Sequence, residues 1–439
     1  MYIKVEREVE GVPEEIEYTS ITALSFAPAA DLAGASIPIN EFQVDIHTED
    51  NVEIGGYAEL YDDNDTLWAR YWVIYAEHID ATTLRIRAQS NIALLERVKL
   101  PAKYYNGAAV DDVLDETIVS NSGAVGIVVA LPYTLDSSFD NETVTGFCPE
   151  QTARERLMWV CFTIGAYVKT HFNQEIEILP IDDTETLVPK ANTYWKPSVT
   201  YNDWVTAVKA KTYSFTQGTP ETTDTYVKDA NGTVYIVQES EISLSNPLAP
   251  SAAPENVIEI EGVYLVNEDN VSGLLTHLSA WYFKRTVVDA DIINNADYLP
   301  GDRVILAVDD ATLYGGYINS ADYTFGLQSK SKIHLTAAEN VEAANLTIIY
   351  FYEDTQLDKK MYLLPIGYEY EIQNPYIDIT MNSHRYIFRP LNESATGTIV
   401  DGENEDEEEC AVALDWKDRI LEIISVDGAE LDDGVVEIE

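Results

Sequence analysis

Gln151 to Leu179, QTARERLMWVCFTIGAYVKTHFNQEIEIL, holds a start signal, a stop signal and one change of period. Thr152 followed three residues on by Glu155 forms a capping box, in which each side chain meets a backbone N–H that the first helical turn leaves unpaired. A helix is therefore predicted from Thr152. Ala153, Leu157, Val160, Cys161 and Ile164 follow the helical period as one apolar stripe, and Arg154, Glu155 and Arg156 are expected to begin the solvent face. Gly165 supplies a left-handed stop. Beyond it Ala166, Val168, Thr170 and Phe172 alternate with Tyr167, Lys169 and His171, Asn173 and Gln174 turn the chain, and EIEIL returns with a period of two. One helix and one hairpin are predicted.

On either side the chain reads as mainly β. Before it, Glu17 to Phe26, Glu41 to His47, Gly56 to Tyr61, Ala69 to Glu77 and Thr83 to Ala88 are short strand-like runs divided by Pro, Gly, Asp and Asn, a pattern of a small barrel or sandwich. NIALLERV, from Asn91, is a short helical exit. GAAVDDVLDETIVSNSG puts Val110, Val113, Leu114 and Ile118 on one helical face, ending at Gly123. After the helix and hairpin, strands are expected from Tyr194 to Ser245, with VKDANGTVYIV a hairpin turned by Asn231-Gly232. Asn246-Pro247 breaks the sheet, Asn270 to Arg285 is helical, and strands resume from Tyr298 to Leu335.

An internal repeat links the two β-rich parts. GYAELYDDNDTLWARYWVI, from Gly56, and GDRVILAVDDATLYGGYI, from Gly301, share a glycine, an apolar strand, Asp-Asp, Thr-Leu-aromatic and a later Tyr. Asp62 and Asp63 align with Asp309 and Asp310, Thr66-Leu67-Trp68 with Thr312-Leu313-Tyr314, and Tyr71 with Tyr317. The pattern fits either a duplicated unit or two ordinary hairpins with acidic turns.

Composition narrows function. The chain has 439 residues, enough for about three domains each with its own core. Its 76 Asp and Glu against 27 Lys and Arg give a net charge of −49, which repels phosphate backbones and disfavours nucleic-acid recognition through a basic patch. Cys148, Cys161 and Cys410 are far apart and odd in number, giving neither a disulfide framework nor a metal spacing, as expected for synthesis in a reducing cytoplasm. No run reaches the ~18 apolar residues of a membrane helix, and no apolar signal core follows the N-terminus, so neither a membrane span nor signal-peptide export is expected. The histidines His47, His78, His171, His277, His334 and His384 make no ligand pair, no phosphate-cradling glycine loop occurs, and Asp62 to Asp65 lacks the glycine and distal Glu of a calcium loop. No catalytic, cofactor or metal residue is assigned, and no enzyme is expected.

The helix block resembles the "T-A-R-x-x-L-x-W … G-A" segment and hairpin in the central domain of phage tail hub proteins, the baseplate-hub and tail-tip family also found in contractile injection systems. Leu299 to Gly326, with L-P-G-D-R-V-I-L and G-G-Y-I-N-S-x-x-Y-T-F-G, is similar to that family's last barrel. I-S-L-S-N-P-L (Ile242 to Leu248) and A-Q-S-N-I-A-L-L (Ala88 to Leu95) fall in the family's order, so the likeness covers most of residues 20 to 337. The positions that carry it are Thr152, Arg154, Leu157, Gly165, Asn246, Pro247, Gly301, Asp302, Gly316 and Gly326.

The resemblance implies a first tube-like β-barrel at 1–98, an α/β middle domain at 99–190 and 247–290, and a second barrel at 191–246 and 291–338. It also implies a homotrimer at the tail tip that presents a pseudo-sixfold ring. Its partners would be the tail tube or distal tail protein, a tip or spike protein, and DNA that passes without binding. Residues 339–401 look like a small β-grasp module of mucin-binding-type adhesins, with a host surface receptor as the implied partner, and 402–439 is expected as an acidic linker and C-terminal segment. Two other classes stand beside the hub reading: a cell-surface adhesin or carbohydrate-binding protein, and a tail-associated peptidoglycan hydrolase.

Overall fold

The computed structural model describes the chain apart from residues 10–11, 50–55, 63–64, 66, 122–124, 127–129, 170–174, 182–184, 189–192, 194–195, 294–297, 308–312, 325–329, 342–346, 353–358, 365–369, 374–375, 382–383, 389–393, 402–405, 416–419, 427–428, 431–434 and 438–439. The turn assigned to Asn173-Gln174, the helix end at Gly123, most of both acidic turns of the internal repeat, and Gly326 lie outside the described residues. The fold is mainly β, as expected. The chain divides into two compact units: residues 1–184, 198–303 and 316–339, and residues 185–197, 304–315 and 340–439.

The largest sheet is built from strands whose side chains alternate between core and solvent. Thr83–Gln89, TLRIRAQ, turns Leu84, Ile86 and Ala88 inward and Arg85 and Arg87 outward. On its outer face Arg85 makes a two-pronged ion pair with Asp45, directly opposite, at 2.7 Å for each bond, and Arg87 meets Glu41. Inside, Phe26, Phe42, Trp68, Tyr71 and Tyr323 form one aromatic cluster with ring centroids 5.2 to 6.4 Å apart. Tyr323 comes from the far end of the sequence. Its strand, Leu313–Thr324, joins Ile21–Phe26 through the pairs Tyr323↔Phe26 and Thr324↔Ser25, so the two β-rich parts share one sheet and one aromatic core.

Strand order within that sheet is repeated. Ile21–Phe26, Glu41–His47, Thr83–Gln89, Leu67–His78, Tyr57–Tyr61 and Tyr2–Val9 are successive neighbours. Ser198–Tyr201, Thr286–Ile293, Lys330–Val341, Leu313–Thr324, Arg303–Ala307 and Glu185–Val188 form the same succession. Within each set the long strand begins at a leucine, Leu67 or Leu313, and its fifth residue, Tyr71 or Tyr317, is buried. The hairpin likeness seen in sequence therefore extends to six strands on each side.

The two sets differ in what joins their first and second members. In one the connection is residues 27–40; in the other it is residues 202–285, which hold a four-stranded sheet and a helix. The expected strands between Tyr194 and Ser245 are accordingly split. Ser198–Tyr201 joins the large sheet, whereas Ala207–Gln217, Tyr226–Lys228 and Val234–Ser245 make a sheet of their own with Val257–Ile260. One face of that sheet packs under helix Val271–Tyr282 through Val208, Ala210, Leu274, Leu275 and Leu278. A core of that size is separate enough to need no ladder with the large sheet. The hairpin turn also differs from expectation, since only Gly232, at φ 82°, lies in the left-handed region. Asn231 does not, because the Asp229 carboxylate accepts from the N–H groups of Asn231 and Thr233 and closes the turn from inside.

Between the two strand sets lies the mixed region built on helix Ala153–Ile164. Its capping box forms as predicted: Thr152 Oγ1 accepts from Glu155 N at 3.2 Å, and Thr152 N donates to Glu155 Oε2 at 2.8 Å. Gly165, at φ 72°, ends it, and Ala166 N donates to Cys161 O at 2.9 Å. Tyr167–Lys169 then pairs antiparallel with Ile176–Leu179.

In the other unit, Thr347–Tyr352 pairs with Lys359–Leu364, and Tyr370–Gln373, Tyr376–Met381 and His384–Phe388 form a three-stranded sheet. The acidic run from Asp401, expected as a linker, differs in the structure. Asp406–Asp415 pairs with Ser394–Asp401, setting Glu407, Glu408 and Glu409 opposite Val400, Ile399 and Thr398. The β-branched partner strand supplies the backbone bonds that hold these glutamates extended.

Candidate functional site

The sequence pattern gave residues 27–40, APAADLAGASIPIN, no element, and the structure makes them the point where the first unit converges. Asp31 folds the segment on itself: its Oδ1 accepts from Ala33 N at 3.0 Å, its Oδ2 from Ser36 Oγ at 2.8 Å, and its carbonyl from Gly34 N. Gly34 turns at φ 71°, and a Cβ there would lie 3.2 Å from Ala166 O, so the connector passes against the end of helix Ala153–Ile164. Asn40 closes the loop by accepting from Ala29 N at 2.8 Å. Outward from this knot, Ala30 N donates to Asn319 O at 2.9 Å, Leu32 O accepts from His277 Nε2 at 3.0 Å, and Ile37 O accepts from Arg154 Nε at 3.1 Å. Ala33 packs with Phe162, Val208 and Leu274, and Leu32 packs with Tyr167 and Tyr317. Both strand sets, both helices and the small sheet thus meet on one short segment.

Most family-motif positions lie on or beside this junction. Thr152 caps the helix, Leu157 is fully buried in its core, and Gly165 ends it 3.8 Å from His277 Nδ1, measured from the position of a Cβ. Arg154 ties the helix to the connector at Ile37 and also pairs with Glu96. Gly301 holds φ 106°, and a Cβ there would lie 2.8 Å from Tyr167 Oη, so the glycine of the Pro-Gly-Asp motif and the hairpin after the helix meet directly. Asp302 accepts from Leu299 N at 2.8 Å through its side chain and from Ile318 N through its carbonyl, which fixes that turn. Gly316 lets its strand approach Ala338, whose Cβ would stand 3.0 Å from an added Cβ. Asn246 lies apart, just past the end of strand Val234–Ser245 of the small sheet, where it donates to Val205 O at 2.7 Å and accepts from Leu248 N; Pro247 follows it at the surface.

Arg156 departs from expectation. It is fully buried, where the sequence placed it on the solvent face. Its guanidinium donates to Pro101 O at 2.5 Å and to Tyr105 Oη at 3.3 Å, and lies 3.6 Å from Glu116, which also holds Lys103. A charge at that depth persists because it is paired and hydrogen-bonded.

Nothing in this junction has the form of a reaction centre. Cys148 and Cys161 are buried, and burial pushes the Cys148 thiol up to about 12 and Cys161 higher still, so neither offers a thiolate. Burial likewise lowers the His277 pKa and holds its ring neutral. Among the described residues no group of three His, Cys, Asp or Glu side chains is placed to hold a metal ion, and no helix is long and apolar enough to cross a membrane. An open groove of about 610 Å³ is lined by Asp115, Leu131, Tyr133 and Leu135 without a histidine or cysteine. Surface cations are taken up by acids: Lys4 by Glu15, Arg70 by Glu6 and Glu59, Arg85 by Asp45, Arg87 by Glu41, and Lys284 and Arg303 by Glu339.

No protein-family model matches the chain, and no curated protein matches it in sequence. Solved structures do resemble it. The tail protein from Neisseria meningitidis MC58 superimposes over 76% of this chain and 96% of its own, with a TM-score of 0.50 at 10% identity. Prophage tail protein gp18 from Listeria monocytogenes EGD-e covers 76% of this chain and 94% of its own, at 11% identity and a TM-score of 0.49. The 43 kDa tail protein of prophage MuSo2 from Shewanella oneidensis covers 77% and 98%, at 9% identity and 0.48. At these identities the likeness is one of fold, and the Neisseria protein carries it: the chain has the fold of a tail protein.

Proposed function

We propose that this chain is a structural component of a phage tail or related injection particle, a hub at the tail tip in which three copies close into a ring around the DNA channel. The observation that carries this reading is the repeated six-strand order. Each chain holds two such sets, so three chains around one axis offer six similar β-units, and a threefold assembly meets a sixfold tail tube without a change of subunit. Closing each set into a tube-like barrel within the ring would cover strand edges that a monomer leaves open. The fold shared with the Neisseria tail protein supports the same reading. On this account the tail tube or distal tail protein lies above the ring, a tip or spike protein below it, and the C-terminal module of residues 339–401 would bind a host surface receptor.

Charge gives the ring its second property. At −49 per chain, carboxylates line at least part of the channel, and an acidic wall lets DNA pass without sticking. Closure must overcome repulsion between acidic chains, so assembly strengthens as the Debye length shrinks from ~30 Å at 0.01 M salt to ~8 Å at 0.15 M. Light scattering across that range, with image averaging of the particles, is expected to give a trimer that grows with salt. A monomer at every salt and concentration would count against the hub, and a ring with a basic channel would remove the lumen argument.

A further inference from the structure

The four-stranded sheet has an open edge. Strand Val234–Ser245 is bonded along one side to Ala207–Gln217, from Gln217↔Tyr235 to Ala207↔Ser245 without a bulge. On its other side Tyr226–Lys228 covers only Val234 to Ile236, and Val237 N donates to Thr225 O at 2.8 Å. From Gln238 to Ser245 no strand lies on that side among the described residues, and all eight side chains are exposed. Backbone groups of an antiparallel strand alternate sides with a period of two. Those of Glu239, Glu241 and Ser243 therefore point the same way as Val237 N–H, toward water. No proline, lysine or bulge blocks this stretch until Pro247 ends it.

Each face of the edge has its own chemistry. Ile242 and Leu244 stand opposite Ala210 and Val208, which are buried beneath helix Val271–Tyr282, yet they remain 40% and 37% exposed past the margin of that cover. On the opposite face Lys209 lies 2.8 Å from Glu241 and 3.8 Å from Glu259, and Lys211 lies 3.8 Å from Glu239 and 3.3 Å from Glu261. Two ammonium groups are divided among four carboxylates, so the face keeps an excess of negative charge at the strand that is open.

We propose that Gln238–Ser245 is a docking edge for an extended segment of another protein, added antiparallel in line with Tyr226–Lys228. That segment carries Lys or Arg at alternate positions facing Glu239 and Glu241, and aliphatic residues between them that cover Ile242 and Leu244. The same strand of a second copy fits less well, because it would bring two more glutamates to a face already short of cations. This assignment stands on the edge itself and is independent of the tail reading.

A ten-residue peptide of alternating lysine and valine, added to the full chain, is the probe. Amide hydrogen exchange is expected to slow at Glu239, Glu241 and Ser243, while a glutamate-valine peptide of the same length leaves them unchanged. Ser243→Pro removes one outward N–H without touching the bonds to Ala207–Gln217, and should weaken the lysine peptide by about tenfold, the worth of one such bond with its geometry. Glu239→Lys with Glu241→Lys, which leaves the backbone alone, should reverse the preference between the two peptides. Binding that leaves the three amides exchanging at their free rates, or a preference untouched by charge reversal, would overturn the proposal. Protection of the same amides that rises with protein concentration in the absence of peptide would overturn it too, in favour of a second copy.

Discussion

Gly301 and Arg156 show how single residues carry the junction. At φ 106°, with Tyr167 Oη 2.8 Å from where a Cβ would stand, Gly301 is strained by any side chain for two reasons at once. Gly301→Ala is expected to lower stability by about 2 kcal/mol, read as a fall in the urea midpoint with an unchanged slope. In a Tyr167→Ala background the collision is absent and the penalty should drop to about 1 kcal/mol, the backbone part alone. Arg156 sits where the helical period gives no warning, since Arg154, Glu155 and Arg156 together read as the start of a solvent face. Its burial is decided by Glu116, Tyr105 and Pro101, all remote in sequence. Glu116→Gln strands a buried guanidinium and should cost about 3 kcal/mol in chemical denaturation. Arg156→Met removes the charge together with its need for a partner, and should cost no more than about half of that.

At the scale of elements, the capped helix was legible because both its ends are local chemistry: Thr152 with Glu155 at one, Gly165 at the other. Helix Val271–Tyr282 was equally legible from its apolar face, but its contact with the connector was not, since Leu32 and His277 meet only after folding. That contact predicts a pH effect. Burial lowers the His277 pKa, so the folded chain binds fewer protons than the unfolded chain near that residue's ordinary value of about 6.5. Stability from this site is complete above about pH 6.5 and is lost as pH falls below it, because the unfolded state takes up the proton first. Urea midpoints at pH 7.5, 6.5 and 5.5 should decline for the wild type, and the decline should be shallower in His277→Gln; equal slopes for the two would remove His277 as its source.

For the whole molecule, the repeated strand order is the organising fact, and the two unequal connections at matching positions, residues 27–40 and 202–285, pack on each other through Ala33, Val208 and Leu274. The aromatic cluster that joins the two sets is complete by Tyr323 and the last strand of the repeated order ends at Val341. A chain truncated after Val341 is therefore expected to stay soluble and keep the oligomeric mass of the full chain in light scattering. Aggregation, or a shift to monomer, would make the C-terminal part integral to the core of the proposed assembly.

Sequence alone determined what short-range physics controls. It set the helix between its caps, the alternation of Leu84, Ile86 and Ala88 against Arg85 and Arg87, the acid excess, and the likeness of two hairpins 245 residues apart, from Gly56 to Gly301. Tertiary structure decided which strands became neighbours. It moved 207–245 out of the large sheet, made a strand from an acidic run, buried Arg156, and gave residues 27–40 their place at the centre. The physical reason is common to all four. Period and capping are written within a few residues, whereas a strand's partner, and the burial of a loop with no period, depend on groups brought together across the length of the chain.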